Sequence, residues 1–439
     1  MSVLGLPVIK TKQARSDESL SVGRFGLLDY ALFLPCIWIA CSLGFSLRVI
    51  GSFFLVLPLL CLLYAVLRLT VPPRILSAYL ALCLLAGVLS HYRMFPTSWQ
   101  VVFLNEAIAR QLIPVISFFA VAWASKAYFR QRLLSGDVFA GEAVLLISSF
   151  VFAPLIMLQQ GVQYQDDDTA SSVLAAYGSF CNNIIIGLFF LTGRLFCARG
   201  WSKIAAGAAI LLVAVTTHFA QFRLMAAVAL AILLGAPPRL AAVTAVVGLS
   251  LGYAVQMNDI PERIAANPNQ GIRLAFVSDV FSSLSDTHGM GIGYGTESVR
   301  WTYRLPGLPE FTFMPDLASI SRERLLEVLS RGVHNSFAQA TLRTGILGAC
   351  LLLVAFFAAF PPRNLTRSVK SHASIVFVVI FVACFVNPGL ESPVQLVGIG
   401  FIYGYLLALR GTTRPWRRAG SWMYRMPWFP LPTSVAARS

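Results

Sequence analysis

One histidine stands where a long polar segment of an otherwise hydrophobic chain meets an apolar segment. His334 and Asn335 come just before the apolar run that begins at Phe337. The N-terminus of a helix carries partial positive charge, which disfavours imidazolium, so we expect a neutral His334 ring at pH 7. A neutral imidazole can act as a general base toward a hydroxyl. A capping or hydrogen-bonded histidine at a membrane boundary is the alternative interpretation of His334.

Three arginines are predicted near the same face of the protein as His334. Arg223 begins a short apolar run, Arg273 lies early in the polar segment, and Arg331 lies just before the histidine. The planar guanidinium binds phosphate oxygens through paired hydrogen bonds, and an arginine at the edge of hydrocarbon needs a partner. We therefore expect Arg223, Arg273 and Arg331 to converge on one polyanion such as a diphosphate. For Arg273, snorkelling to lipid headgroups is equally consistent with the sequence.

The elements that must position these side chains are membrane-spanning helices. The chain has 439 residues, of which 57% are hydrophobic and 12% charged, against about 25% charged residues in a soluble domain. Apolar runs of about 20 residues recur, which is the length that crosses a bilayer. The composition predicts an all-α transmembrane bundle with twelve spans, near 27–46, 49–67, 74–90, 110–126, 138–158, 172–193, 201–217, 222–236, 239–257, 337–360, 372–388 and 393–410.

The distribution of basic residues predicts how the bundle is oriented. The predicted division of the chain is an N-terminal tail at 1–26, nine spans within 27–257, a loop at 258–336, three spans within 337–410 and a basic tail at 411–439. With this division, the inner segments hold 22 of the 34 basic residues and the short outer links hold 4. Because basic residues concentrate on the cytoplasmic side, both termini are predicted to be cytoplasmic and the long loop to face outward. The net charge of +15 then reflects orientation and attraction to anionic lipid, and not nucleic-acid binding.

The long loop is predicted to contain two helices. One covers residues 273–284, and the other runs from Asp316, a plausible N-cap, to Arg331, ahead of Gly332. The helical period places one set of residues of the first helix on a face turned to protein or lipid, namely Arg273, Val277, Val280, Phe281 and Leu284. It places a second set on the opposite face, namely Ser278, Ser282 and Ser285.

Other polar or reactive features of the chain favour structural roles. The eight cysteines lie outside the long loop, and we interpret them as small buried hydrophobic residues. The acidic triplet Asp166, Asp167 and Asp168 is interpreted as a solvated turn in preference to a cation site. The glycine-rich run at 289–295 is interpreted as a flexible turn in preference to a phosphate cradle, because no strand precedes it.

Several short motifs, in this order, resemble the bacterial O-antigen ligase and polysaccharide polymerase family. The resemblance covers 221–409 and rests on Arg223, on Arg273 followed by the glycine-rich run, on His334-Asn335-Ser336-Phe337 followed by Thr344-Gly345-Ile346-Leu347-Gly348, and on Asn387-Pro388-Gly389-Leu390-Glu391-Ser392-Pro393. The family shares about a dozen spans and one large periplasmic loop late in the chain. Where the family often has a tryptophan after the loop arginine, this chain has Phe276 and Val277.

The resemblance implies a metal-independent, inverting glycosyltransferase of the bacterial inner membrane that uses no cofactor. Its donor would be an oligosaccharide on undecaprenyl diphosphate. His334 would act on the acceptor hydroxyl with Asn335 in support, while Arg223 and Arg273, joined by Arg331, would hold the diphosphate. Besides the lipid-linked substrate and membrane lipids, a chain-length regulator and a flippase are the partners that the resemblance suggests.

Three functions remain open at this point. A polymerase would join lipid-linked repeat units into an exopolysaccharide, capsule or O-antigen. A ligase would move a finished glycan to lipid A core or to protein by the same chemistry. A polysaccharide transporter or flippase would perform no covalent step, but such proteins place their binding residues near the bilayer midplane, often in repeated halves. We prefer the polymerase because polymerases are the more numerous users of this architecture.

The predicted topology can be tested by labelling single cysteines in a cysteine-free background. A cysteine in place of Asp286 should react with a membrane-impermeant thiol reagent in intact cells, and one in place of Arg367 should react only after permeabilisation. Labelling of position 367 from outside would overturn the predicted orientation.

Overall fold

The structure, a computed structural model, is nearly all helical in the residues that it describes. These are residues 26, 28–42, 47–93, 98–135, 181–197, 201–216, 220–259, 268–295, 302–303, 311–312, 335–386, 389–391 and 393–412. The predicted all-α class is confirmed for this part of the chain. His334, Arg331, the predicted helix at 316–331, Asp166 to Asp168 and both tails lie outside the described residues.

The described helices follow the apolar runs of the sequence. They are α1 (Leu34–Ser42, preceded by a π-helical turn at Asp29–Phe33), α2 (Leu47–Leu67), α3 (Arg74–Arg93), α4 (Ser98–Ser135), α5 (Cys181–Cys197), α6 (Trp201–Thr216), α7 (Ala220–Leu233), α8 (Pro238–Gln256, followed by a 3₁₀ turn at Met257–Asp259), α9 (Pro268–Asp286), α10 (Ser336–Ala358), α11 (Arg367–Val386) and α12 (Pro393–Thr412). A two-stranded antiparallel ladder pairs β1 (Thr302–Tyr303) with β2 (Phe311–Thr312).

Among the residues that the structure describes, five helical stretches are long and apolar enough to cross a membrane, by length and composition. They are Arg74–His91, Ile108–Leu133, Pro238–Gln256, Ser336–Ala358 and Arg367–Val386. The predicted span at 110–126 is part of a longer helix, because α4 runs for 38 residues through Pro114. The predicted run at 138–158 lies outside the described residues. The five apolar helices indicate a membrane protein.

The centre of the bundle is the packing of α4 against α12. Small residues let the two backbones approach, since a Cβ on Gly404 would lie 2.6 Å from both the Ala122 carbonyl oxygen and the Lys126 nitrogen. Close packing at glycine is a common way for helices to associate in a membrane. Aromatic rings extend this contact toward α5, where Phe189 packs edge-on against Tyr405 at 4.9 Å between ring centroids.

One end of the bundle is rich in basic residues. Arg68 forms a buried ion pair with Asp29, and Arg410 donates to the Ala358 carbonyl at the end of α10. Arg367 reaches the Gly235 carbonyl at 3.5 Å. The polar turns that begin α10 and end α11 lie at the opposite end, because these two helices run the length of the bundle. The bundle therefore has a basic end and an end that carries Asn335.

Helix α9 confirms the predicted helix at 273–284 but corrects one of its faces. Val277 and Val280 are buried, whereas Ser278, Ser282 and Ser285 are exposed, as their positions predict. Phe281, predicted on the covered face, is 63% exposed. Its position lies at the margin of that face, so only the contacts with neighbouring helices decided which side it takes.

Candidate functional site

Asn335 is the N-cap of α10. Its side chain accepts hydrogen bonds from the backbone nitrogens of Phe337 and Ala338, each at 3.0 Å, and its backbone is extended. The first amide groups of a helix have no partner within the helix, and a capping asparagine supplies one. Asn335 is itself buried, so it fixes the start of α10 one peptide bond after His334.

The residue after the cap ties α10 to the turn between α11 and α12. The Ser336 hydroxyl donates to Glu391 Oε2 at 2.8 Å and accepts from the Leu390 backbone nitrogen at 3.0 Å. Ser336 is fully buried. The contact joins two of the short motifs that carry the resemblance, the one at 334–337 and the one at 387–393.

Helix α10 is broken in its third turn. Gly345 has φ +70° and ψ −166°, which are values outside the helical range. A break of this kind leaves backbone groups without their helical partners, which is costly away from water. The broken turn therefore needs hydrogen-bond partners from another part of the chain.

The glycine-rich run that follows α9 supplies those partners. The nitrogens of Ile292 and Gly293 donate to the carbonyls of Leu342 at 2.7 Å and Arg343 at 3.1 Å, and the Ile346 nitrogen donates to the Gly289 carbonyl at 3.0 Å. The run is thus a backbone clamp on the broken helix, which the interpretation as a flexible turn did not foresee. We refer to residues 289–295 as the glycine clamp.

The clamp requires glycine for two physical reasons. Gly289, Gly291, Gly293 and Gly295 all have positive φ, between +77° and +84°. A Cβ on Gly291 would also lie 2.5 Å from the Gly345 nitrogen. Both the backbone conformation and the close approach exclude a side chain there.

The clamp also anchors the loop to α3 and α4. The Tyr294 nitrogen donates to Ser90 Oγ at 2.8 Å, and the Gly295 nitrogen donates to Gln111 Oε1 at 2.7 Å. Ser90 and Gln111 are both buried. Residues far apart in the sequence therefore hold the middle of the long loop beside the first three turns of α10.

A buried arginine lies within the clamped segment. Arg343 is 3% exposed, and its guanidinium carbon lies 5.1 Å from the centre of the Tyr294 ring. A cation over an aromatic face is stabilised by about 0.5–2 kcal/mol, more when it is desolvated. The buried Arg343 and the partly exposed Glu391 both act electrostatically on the Cys83 thiol, so a cation and an anion share one polar region beneath the start of α10.

Tyr294 remains a neutral phenol in this region. Burial raises its pKa well above the ordinary value, and a hydrogen bond with Cys83 acts in the same direction, while the charge of Arg343 acts against it. A phenol with a raised pKa cannot serve as a base near neutral pH. Tyr294 therefore stabilises the cation of Arg343 and does not compete with His334 for the proposed role of base.

Helix α9 lies on α10 and runs in the same direction as its first turns. Val277, Val280 and Ile292 form one apolar cluster with Ala338 and Leu342. The chain after α9 bonds to Ile346, deeper in α10. The N-terminal part of α9, which contains Arg273, therefore lies closer to Asn335 than the C-terminal part does. The structure describes the backbone of Arg273 within α9.

Arg223 lies in the first turn of α7 with an exposed side chain. The turn after α7 contains Gly235, which Arg367 contacts at the basic end of the bundle. The first turn of α7 must therefore point toward the opposite end, on the same side as Asn335. The backbone positions of Arg223, Arg273 and Asn335 thus lie toward one end of the bundle, while His334 and Arg331 lie outside the described residues.

Three residues of this region were not predicted from the sequence as site residues, namely Arg343, Glu391 and Tyr294. Arg343 carried a signal, since a charged residue inside an apolar run is expensive and usually functional. The sequence signal for Glu391 was weaker, since it is an acidic residue in a short turn between two apolar runs. Tyr294 had no sequence signal, because only the folded clamp places its ring against Arg343. Within the described ranges, no group of three histidine, cysteine or acidic residues is arranged to hold a metal ion.

No protein-family model matches this chain, and no curated protein is significantly similar to it in sequence.

The role of the clamp can be tested with two glycine substitutions. Gly291→Ala should destabilise the protein by about 1–3 kcal/mol from backbone strain alone, with a further loss from overlap with Gly345. Gly248→Ala is the matched control, because a Cβ there meets nothing within 4 Å and alanine favours a helix. Thermal unfolding in detergent measures the difference. Equal melting temperatures for the two variants would contradict the clamp.

Proposed function

We propose that this protein is a membrane glycosyltransferase that acts on lipid-linked glycans at the end of the bundle that carries Asn335. In this proposal the bundle has twelve spans, both termini are cytoplasmic, and the loop at 258–336 faces the periplasm of a bacterium. The concentration of basic residues at the opposite end supports this orientation, because basic residues favour the cytoplasmic side.

One observation carries the proposal: both ends of the long polar segment are attached to the first three turns of α10. Its early part is held by α9 and the glycine clamp, and its last part runs into the cap at Asn335. The attachment supports a site in which Arg273 and His334 face one substrate, with Arg223 at the same end. A rigid backbone keeps the catalytic side chains aligned with the substrate, which a transfer reaction requires.

The proposed reaction is an inverting transfer. The acceptor hydroxyl oxygen forms a bond to the anomeric carbon of the donor sugar, and the bond from that carbon to the diphosphate oxygen breaks. His334 takes the hydroxyl proton. The lipid diphosphate leaves with the bonding electrons, and Arg223 and Arg273 stabilise its growing charge. Arg331 adds a third cation, and Asn335 holds the start of the helix that follows His334.

We propose a second lipid-linked glycan as the acceptor, so that the enzyme is a polymerase of repeat units. The exposed face of α9 supports this choice. Ser278, Ser282 and Ser285 form a row of hydroxyl groups there, beside the exposed ring of Phe281. Hydroxyl groups can form hydrogen bonds with the polar edge of a sugar, and an aromatic ring can pack against its apolar face. The opposite face of α9 packs on α10, so this row stays exposed and open to a second substrate.

Reconstitution of the purified protein tests polymerisation directly. Given only the lipid-linked repeat unit in liposomes, it should produce a ladder of longer lipid-linked products, which gel electrophoresis resolves. A repeat unit that stays unchanged until lipid A core is added, and then moves to it in one step, would show a ligase. No covalent product with any acceptor would contradict the glycosyltransferase proposal.

Replacement of His334 tests the proposed base. His334→Ala should reduce product formation about 10²- to 10⁴-fold, the usual contribution of general-base catalysis, while the lipid diphosphate still binds. His288→Asn is the control, since His288 is exposed and has φ +51°, a conformation that asparagine tolerates. Normal product from His334→Ala would leave the histidine with a capping role only.

Lysine substitutions test the arginines while keeping their charge. Arg223→Lys and Arg273→Lys should each reduce kcat/KM about 10- to 100-fold, because lysine cannot form the paired contact and a charged hydrogen bond is worth about 1.5–3 kcal/mol. Arg367→Lys, at the basic end of the bundle, should leave kcat/KM unchanged. Full activity of both Arg223→Lys and Arg273→Lys would exclude a bidentate diphosphate site.

A further inference from the structure

A cavity opens between four helices at the basic end of the bundle. Residues from the start of α3, the last third of α4 and the C-terminal halves of α10 and α12 line it, and its volume is about 600 Å³. Its wall on α10 includes Val354, which is 19 residues beyond Asn335. At 1.5 Å per residue that separation is about 28 Å along the helix, so the cavity is distinct from the proposed transfer site.

Three cationic side chains line the cavity, and none of the described residues that line it is acidic. Arg74 is exposed at the first position of α3, Lys126 comes from α4, and Arg410 comes from α12. Lys126 Nζ donates to the Val71 carbonyl at 2.8 Å, and Arg410 donates to the Ala358 carbonyl. A backbone carbonyl orients a cation but does not neutralise it. The cavity therefore carries excess positive charge.

The rest of the wall is apolar and open to the side of the bundle. Val354 is 52% exposed and Phe357 is 51% exposed, and Leu353 and Leu407 lie beside them. Val354 and Phe357 are three positions apart, so they form one stripe on the outside of α10. In a membrane this stripe faces the hydrocarbon. Cations at one end and an apolar stripe leading away from them form an amphipathic groove.

We propose that this groove binds an anionic phospholipid. The headgroup phosphate contacts Arg74, Lys126 and Arg410, and an acyl chain lies along Val354 and Phe357. A free phosphate would use only the cations and would leave the apolar stripe uncovered. A zwitterionic lipid has no net negative charge to match three cations. The bound lipid contacts α3, α4, α10 and α12 together, so it stabilises the helix that carries Asn335 at its other end.

The experiment uses the full-length protein purified in an uncharged detergent. Phosphatidylglycerol, phosphatidylethanolamine and soluble glycerol phosphate are added separately, and binding is measured by native mass spectrometry and by the shift in melting temperature. Phosphatidylglycerol should remain bound and raise the melting temperature, while the other two should do neither. The measurement is independent of any glycosyltransferase activity, so the failure of one proposal leaves the other intact.

Two substitutions locate the site. Arg74→Gln should weaken phosphatidylglycerol binding about fivefold, the effect expected of one basic residue at a lipid surface, and Arg74→Lys should restore most of it. Arg363→Gln is the matched control, because Arg363 is exposed at the same end of the bundle and does not line the groove. Both arginines are exposed, so neither change removes a buried contact.

Three results would overturn the proposal. Equal retention of phosphatidylethanolamine and phosphatidylglycerol would exclude recognition of net charge. Equal weakening by Arg363→Gln and Arg74→Gln would indicate attraction to the whole basic surface and no defined groove. Displacement of the lipid by an equal concentration of glycerol phosphate would show an anion site without an acyl contribution.

Discussion

The break in α10 at Gly345 is the constraint on which the site depends. Backbone groups at this depth cannot be left without hydrogen bonds, because an unsatisfied group away from water costs several kcal/mol. Gly289, Ile292 and Gly293 supply the missing partners, and glycine alone permits the approach. The broken helix and the clamp therefore stabilise each other, and residues 289–295 are held against the helix into which the long polar segment runs.

The clamp has an electrostatic consequence. It places the Tyr294 ring against the buried guanidinium of Arg343, while Ser336 holds Glu391 in the neighbouring turn. A buried charge is tolerated only with partners close by. Arg343 is eight residues, or about 12 Å, from Asn335, and in a medium of low dielectric its charge is weakly screened over that distance. The start of α10 is thus fixed in position by its hydrogen bonds and lies near the charges of Arg343 and Glu391.

Helix α10 connects two regions that differ in their side chains. Its first turns carry the cap, the clamp and the buried charge of Arg343, and its last turns form the apolar wall of a groove whose cations come from α3, α4 and α12. A ligand in that groove and a substrate near Asn335 would both act on the same helix. The break at Gly345 lies between them, so the two halves of α10 are held by different sets of neighbours.

Local sequence patterns predicted the helical class and the positions of most of the helices that the structure describes. Hydrophobic runs and the distribution of basic residues depend on local composition and on the bilayer, which act on each segment separately. The helix start after His334 was also predicted, and an asparagine before an apolar run is a local N-cap signal, although the capping role was considered only for His334.

Contacts between distant segments formed the clamp, selected the covered face of α9 and gave Arg343 its partners, and none of these could be predicted from local sequence. The glycine-rich run looks like a flexible turn until the broken α10 is placed beside it, because its hydrogen bonds go to residues about 50 positions away. Phe281 lies outside the covered face for the same kind of reason. Local periodicity defines a helix and its faces approximately, but contacts between distant segments select which groups are buried and which hydrogen bonds are made.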